Sequence, residues 1–182
     1  MKFGRIPNTL IIVLVFLGPV LLAQAARTTS ESELKAAFVY NFAKFVTWPQ
    51  GPLDNVDKPL VIGVLGDPEL GRTLQRLLEG KNLGGRPLAV MTFSGIDELR
   101  VTDVLFIHTD QKKTLETALQ VIAGLPVLTV GESEHFAELG GVIELVTEDK
   151  RMRFDINVVA AHQAGLKIQA QLLKLARTTR RD

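Results

Sequence analysis

The residues able to do chemistry in this sequence cluster where apolar runs end. Asp67 follows Leu60–Leu65 across Gly66, and Glu132 and Ser133 follow Val127–Val130 across Gly131. His108 and Asp110 stand just after Val104–Ile107. Carboxylate, imidazole and hydroxyl groups together can hold a polar ligand or move a proton. Asp67, His108, Glu132 and Ser133 are therefore the candidate ligand-binding residues, with Asp110 beside them. Taken singly, Asp67, Asp110 and Ser133 also fit as helix caps, with glycine allowing the tight turn. The sequence leaves both roles open.

Patterns that would make this chemistry catalytic are missing. No serine lies in G-x-S-x-G, and Ser133 two residues before His135 is not the spacing of a triad. There is no G-x-G-x-x-G and no Walker loop, and carboxylates at helix starts repel phosphate. His108, His135 and His162 do not form a zinc-ligand spacing. No catalytic residue, metal or cofactor is assigned.

The elements that must position these groups alternate. A helix over Glu33–Val46 carries Leu34, Ala37, Phe38, Asn41, Phe42, Phe45 and Val46 at helical spacing, capped by Ser30 or Ser32 and ended by Trp48-Pro49. Tyr40 and Trp48 fall partly off that stripe and are the candidate partner-binding residues. Strands at 60–65, 86–93, 103–107 and 126–130 are separated by helices at about 68–79, 96–99 and 112–123. A further short helix is expected around 134–138. This alternation predicts right-handed crossovers and a parallel sheet. Gly140-Gly141 then turns the chain into two strands, 142–147 and 151–156, joined by Glu148-Asp149-Lys150 as an antiparallel hairpin. Asn157 is placed to cap a final helical region over 158–177, which Gly165 can break in two. The fold class is α/β: a single domain with a mostly parallel sheet, flanking helices and a C-terminal antiparallel hairpin at the sheet edge.

The first 25 residues read as a secretory signal peptide. Lys2 and Arg5 precede the apolar run Leu10–Leu22, and Ala23-Gln24-Ala25 is a cleavage site. Thirteen helical residues rise about 20 Å, too short for a hydrocarbon core of about 30 Å. With no cysteine in the 182 residues, neither a lipid anchor nor a disulfide is available. Cleavage removes two basic residues and leaves 19 against 20 acidic ones, so the slightly basic overall balance belongs to the signal. That charge gives no reason to expect nucleic acid. Residues 26–32 read as a short disordered lead and 178–182 as a basic tail, solvated rather than lipid-binding.

Several blocks together resemble the YfiR/HmsC-like family of bacterial periplasmic regulators. They are Lys35–Pro49, Leu60–Gly66, Gly80-Lys81 with Gly85-Arg86-Pro87, Val127–Gly131, Gly140-Gly141, Arg153–Asn157, and Ala164–Ile168 with Leu172–Ala176. They span about 33–177 in the family's order. The resemblance implies a non-enzymatic α/β domain, often a homodimer. It also implies a partner: the periplasmic part of an inner-membrane diguanylate cyclase, which the protein holds inactive, lowering cyclic-di-GMP and biofilm formation. Relatives that tune activity through disulfides differ here, since cysteine is absent. The competing expectation is a small-ligand sensor or carrier that uses the carboxyl edge of the sheet.

Overall fold

The computed structural model describes residues 31–49, 58–100 and 102–180. The expected signal peptide lies outside these residues, as do positions 26–30 of the expected lead. The chain begins with α1 (31–44) and β1 (Val46–Thr47), then β2 (Leu60–Leu65) and α2 (Pro68–Leu78). Next come β3 (Asn82–Leu83), β4 (Arg86–Phe93), a single 3-10 turn at Ile96–Glu98, β5 (Val104–Ile107) and α3 (Lys112–Val121). The last part holds β6 (Leu128–Gly131), β7 (Ile143–Glu148), β8 (Arg151–Asn157), α4 (Val158–Gln163), β9 (Lys167–Ile168), α5 (Ala170–Leu175) and β10 (Thr178–Arg180).

An eight-stranded sheet forms in the order β10-β8-β7-β6-β5-β2-β4-β3. Strands β4, β2, β5, β6 and β7 are parallel, as the alternating pattern requires, and β7 with β8 is the antiparallel hairpin. The continuous apolar runs become the inner strands: every residue of β5 and β6 is buried. A run without polar alternation can exist only where both faces are covered. On one face Ile62, Val64, Phe106 and Val130 pack against Val39 and Phe42 of α1 and Leu70 and Leu74 of α2. On the other, Leu105, Ile107 and Phe93 meet Leu115 and Ala118 of α3, and Phe136. Phe154 of β8 closes the first layer edge-on against Phe38 and Phe42, with centroids 6.1 and 4.9 Å away.

The structure departs from the expected elements in several places, beginning with α1, which runs over 31–44 rather than Glu33–Val46 and leaves Val46 to β1. The buried stripe of α1 is Ser32, Lys35, Ala36, Val39, Phe42 and Ala43, while the expected members Leu34 and Asn41 are exposed. The helix faces the sheet about one residue away from its most apolar side. No helix forms at 134–138. The segment is a series of turns in which His135 takes φ 62°, a left-handed conformation that ends helical progress. Strand β6 begins two residues later than expected. The region 158–177 divides at Gly165 (φ 71°) into α4 and α5 as expected, but the piece between them forms β9, which pairs with β1. Thr178–Arg180 of the expected tail instead forms β10 beside β8, so the hairpin is one strand inside the sheet edge.

Candidate functional site

The parallel strands bring the polar turns to one edge. The connections leaving β2 and β5 run in opposite directions, which in open α/β sheets marks the place for a ligand crevice. Here that mouth is shut. Gly66 (φ 83°) lies so close to β5 that a Cβ on it would meet the His108 carbonyl oxygen at 2.1 Å. The His108 N–H also donates to the Leu65 carbonyl at 2.9 Å.

The open space lies one strand over, beyond β5 and β6. A cavity of about 600 Å³ is lined by His108, Thr109, Asp110, Glu132, Ser133 and His135, with Leu115 and Leu139 as its main apolar wall. Its size is in the range of small-molecule sites. Three of the four candidate ligand residues therefore meet here. Asp67 stands apart: it does not line the cavity, and its carboxylate accepts from the Leu70 N–H at 2.9 Å as the N-cap of α2. Asp110 and Ser133 cap no helix. α3 starts without a side-chain cap bond, and the Ser133 hydroxyl donates to the Thr109 carbonyl, tying the two turns together.

Glu132 is the electrostatic centre of this edge. Its Oε2 lies 2.6 Å from Lys35 Nζ of α1, which also reaches Glu31 at 3.0 Å. Burial lowers the Lys35 pKa, but the hydrogen bonds and charges of Glu132 and Glu31 outweigh it, and the ammonium titrates above its ordinary 10.5. Glu132 Oε1 is buried without an aligned hydrogen bond and faces His108 Nδ1 at 2.6 Å. A nitrogen lone pair that close to a carboxylate oxygen would repel it, so we assign the proton to Nδ1. The imidazole is thereby held by Glu132, with the Ser133 hydroxyl engaged elsewhere.

The far wall of the cavity is pinned by an aromatic peg. Phe136 is fully buried between Gly131 and Gly141, where added Cβ atoms would come within 2.3 and 2.0 Å of its ring. Gly141 thus matters for this contact, whereas Gly140 supplies the positive φ (106°) of the turn. Asn157 holds the same wall from behind. Its Oδ1 accepts from the Ala160 N–H, the expected N-cap of α4, and its Nδ2 donates to the Ala137 carbonyl at 2.7 Å. The second bond was not legible in the sequence.

The two candidate partner residues sit toward the opposite edge. Tyr40 is half-buried, with Lys44 Nζ 5.0 Å and Lys81 Nζ 5.3 Å from its ring centroid. These are cation–π distances. The Trp48 indole N–H donates to the Asp103 carbonyl at 3.2 Å. Asp103 itself takes a bidentate grip from Arg86 (2.9 and 3.1 Å) and accepts the Val61 N–H at 2.8 Å. Arg86 also donates to the carbonyls of Lys58 and Pro59, so one guanidinium gathers three segments at the amino edge.

The blocks that supply these contacts are arranged as one domain, and a family model described as YfiR/HmsC-like matches residues 32–177. The chain belongs to the YfiR/HmsC-like family. Members are generally regulatory rather than catalytic. No curated protein matches the sequence. The YfiR/HmsC-like domain begins one residue into α1 and ends at Arg177, where β10 is about to start. Among the described residues, no helix is long and apolar enough to cross a membrane, and no cluster of three or more His, Asp or Glu could hold a metal ion.

Proposed function

We propose that this chain is a periplasmic regulator that binds the periplasmic part of an inner-membrane diguanylate cyclase and holds it inactive. Less cyclic-di-GMP in the cytoplasm, and less biofilm, would follow. The observation that carries this reading is the family match over residues 32–177. The contact surface we assign is Tyr40 with Lys44 and Lys81, an aromatic face flanked by two exposed ammonium groups. Such a surface fits acidic side chains on a partner. Trp48 adds only the part of its ring left open beside the Asp103 contact. In this reading the working state is a homodimer, which the resemblance implies for many members of the family.

Affinity capture from solubilised membranes tests this directly. The chain should retain a membrane protein with a cyclase domain, and Lys44→Glu with Lys81→Glu should release it without lowering the melting temperature. Recovery of no cyclase contradicts the proposal.

The cavity favours a second role beside the first. A ligand held by His108, Glu132 and Ser133 would bias the partner-binding state if it bound one state better. A thermal-shift screen checks it, because a ligand at a hundredfold excess over Kd stabilises by about 2.7 kcal/mol.

A further inference from the structure

The two edges of the eight-stranded sheet are built differently. The β10 edge is three residues long, ends on Arg180 and is preceded by Arg177, which pairs with Asp155 and Glu148. Short, charged strands are the usual way to keep an edge from pairing. At the other side β3 covers only the start of β4, through Asn82 with Pro87 and Leu83 with Arg86. The Leu88 N–H still reaches the Lys81 carbonyl at 3.2 Å. Beyond it, Ala89–Phe93 has β2 on one side and no strand on the other among the described residues. This stretch, Ala-Val-Met-Thr-Phe, holds no charge and no proline.

Backbone parity fixes what that edge offers. Since the Leu88 N–H points away from β2, the N–H and C=O groups of Val90 and Thr92 do too. Met91, between them, points its side chain to the sheet face and is 40% exposed. We propose that this edge pairs antiparallel with the same edge of a second copy, about a two-fold axis at Met91. This rests on the dimeric reading above and names its interface. Val90 of each copy then exchanges both backbone hydrogen bonds with Thr92 of the other. The two Met91 side chains meet across the axis as a non-hydrogen-bonded pair, where side chains lie closest. Identical antiparallel strands are self-complementary, as a closed two-fold interface requires. Charge agrees along the flank. Gly71 packs on Thr92, and Gln75, Arg76 and Glu79 run beside Leu88 and Val90, so α2 lies antiparallel to this edge. The axis reverses that row and brings Glu69 level with Arg76 of the other copy. Arg72, nearest the axis, has Glu69 one turn before it on its own helix.

Sedimentation equilibrium on the purified chain tests this with two variants. Val90→Pro removes an outward N–H, together with part of a side chain that packs on the core, and leaves the ladder to β2 intact, since proline is tolerated on edge strands. Met91→Lys places two ammonium groups at the axis. The wild-type chain should be a dimer, and each variant should raise the dissociation constant by about a hundredfold, equivalent to about 2.8 kcal/mol. Circular dichroism should be unchanged in both. A wild-type monomer overturns both the dimeric reading and this interface. A dimer that persists in Met91→Lys with native circular dichroism overturns the interface alone. Neither result bears on cyclase capture, which is read separately.

Discussion

Lys35 Nζ and Glu132 Oε2 lie 2.6 Å apart, joining the first turns of α1 to the turn after β6. Both side chains are mostly buried, at 11% and 20% exposure. Through His108 on the other carboxylate oxygen, the pair ties the helix that carries Tyr40 to the wall of the cavity.

Removing the ammonium should therefore cost more than a surface ion pair does. Breaking a fully buried pair costs about 3–5 kcal/mol, and the residual exposure here brings the expectation for Lys35→Met to about 2 kcal/mol. Lys35→Met with Glu132→Leu should recover part of that loss. Urea unfolding of the two single variants and the double variant checks it.

The pH dependence of that term has a defined sign. Lys35 titrates above its ordinary value of 10.5 in the folded protein, so its contribution is complete below that value. It fades as the pH rises through the raised folded value. The stability gap between wild type and Lys35→Met should thus be flat from neutrality to about pH 10 and shrink only above it. Denaturant melts across that range measure it.

The Phe136 peg yields a coupling experiment. Gly131→Ala forces a methyl group against the Phe136 ring and should cost about 1–3 kcal/mol, the usual penalty for overpacking. In a Phe136→Ala background the same change should cost almost nothing. A double-mutant cycle reads the difference.

Asn157 separates two roles by chemistry. Asn157→Ser keeps an acceptor for the Ala160 N–H and loses the donor to the Ala137 carbonyl. Asn157→Ala loses both. The expected costs are about 1 kcal/mol for serine and about 2 kcal/mol for alanine. Thermal denaturation of both variants ranks them.

These contacts also mark how far the sequence could be read. β5 was legible because four successive apolar residues have no other stable place than the middle of a sheet. The order of strands and helices predicted the parallel sheet for the same reason. The α1 stripe was misjudged because Lys35 counts as polar in any periodicity, and only the distant Glu132 makes its burial tolerable. Segment 134–138 reads as helical because nothing local signals a peg. The glycines that admit Phe136 lie on either side of the turn and act only once the chain has folded back. β10 was hidden by its composition, since Thr-Thr-Arg reads as tail until β8 offers it a ladder.

The candidate site was legible in its location and less so in its membership. Parallel strands were enough to bring His108, Glu132 and Ser133 to one edge. They did not indicate that Gly66 would close the neighbouring mouth and leave Asp67 as a cap. Arg86 and Asp103 carry no local signal, because their meeting depends on β4 lying on the far side of β2.

The central claim is best tested by cyclic-di-GMP itself. Its level is measured in cells lacking the gene and in the same cells supplied with wild type or with Lys44→Glu and Lys81→Glu together. The account predicts a rise on deletion, a return to normal with wild type, and no return with the charge-reversed chain. An unchanged level on deletion would contradict it.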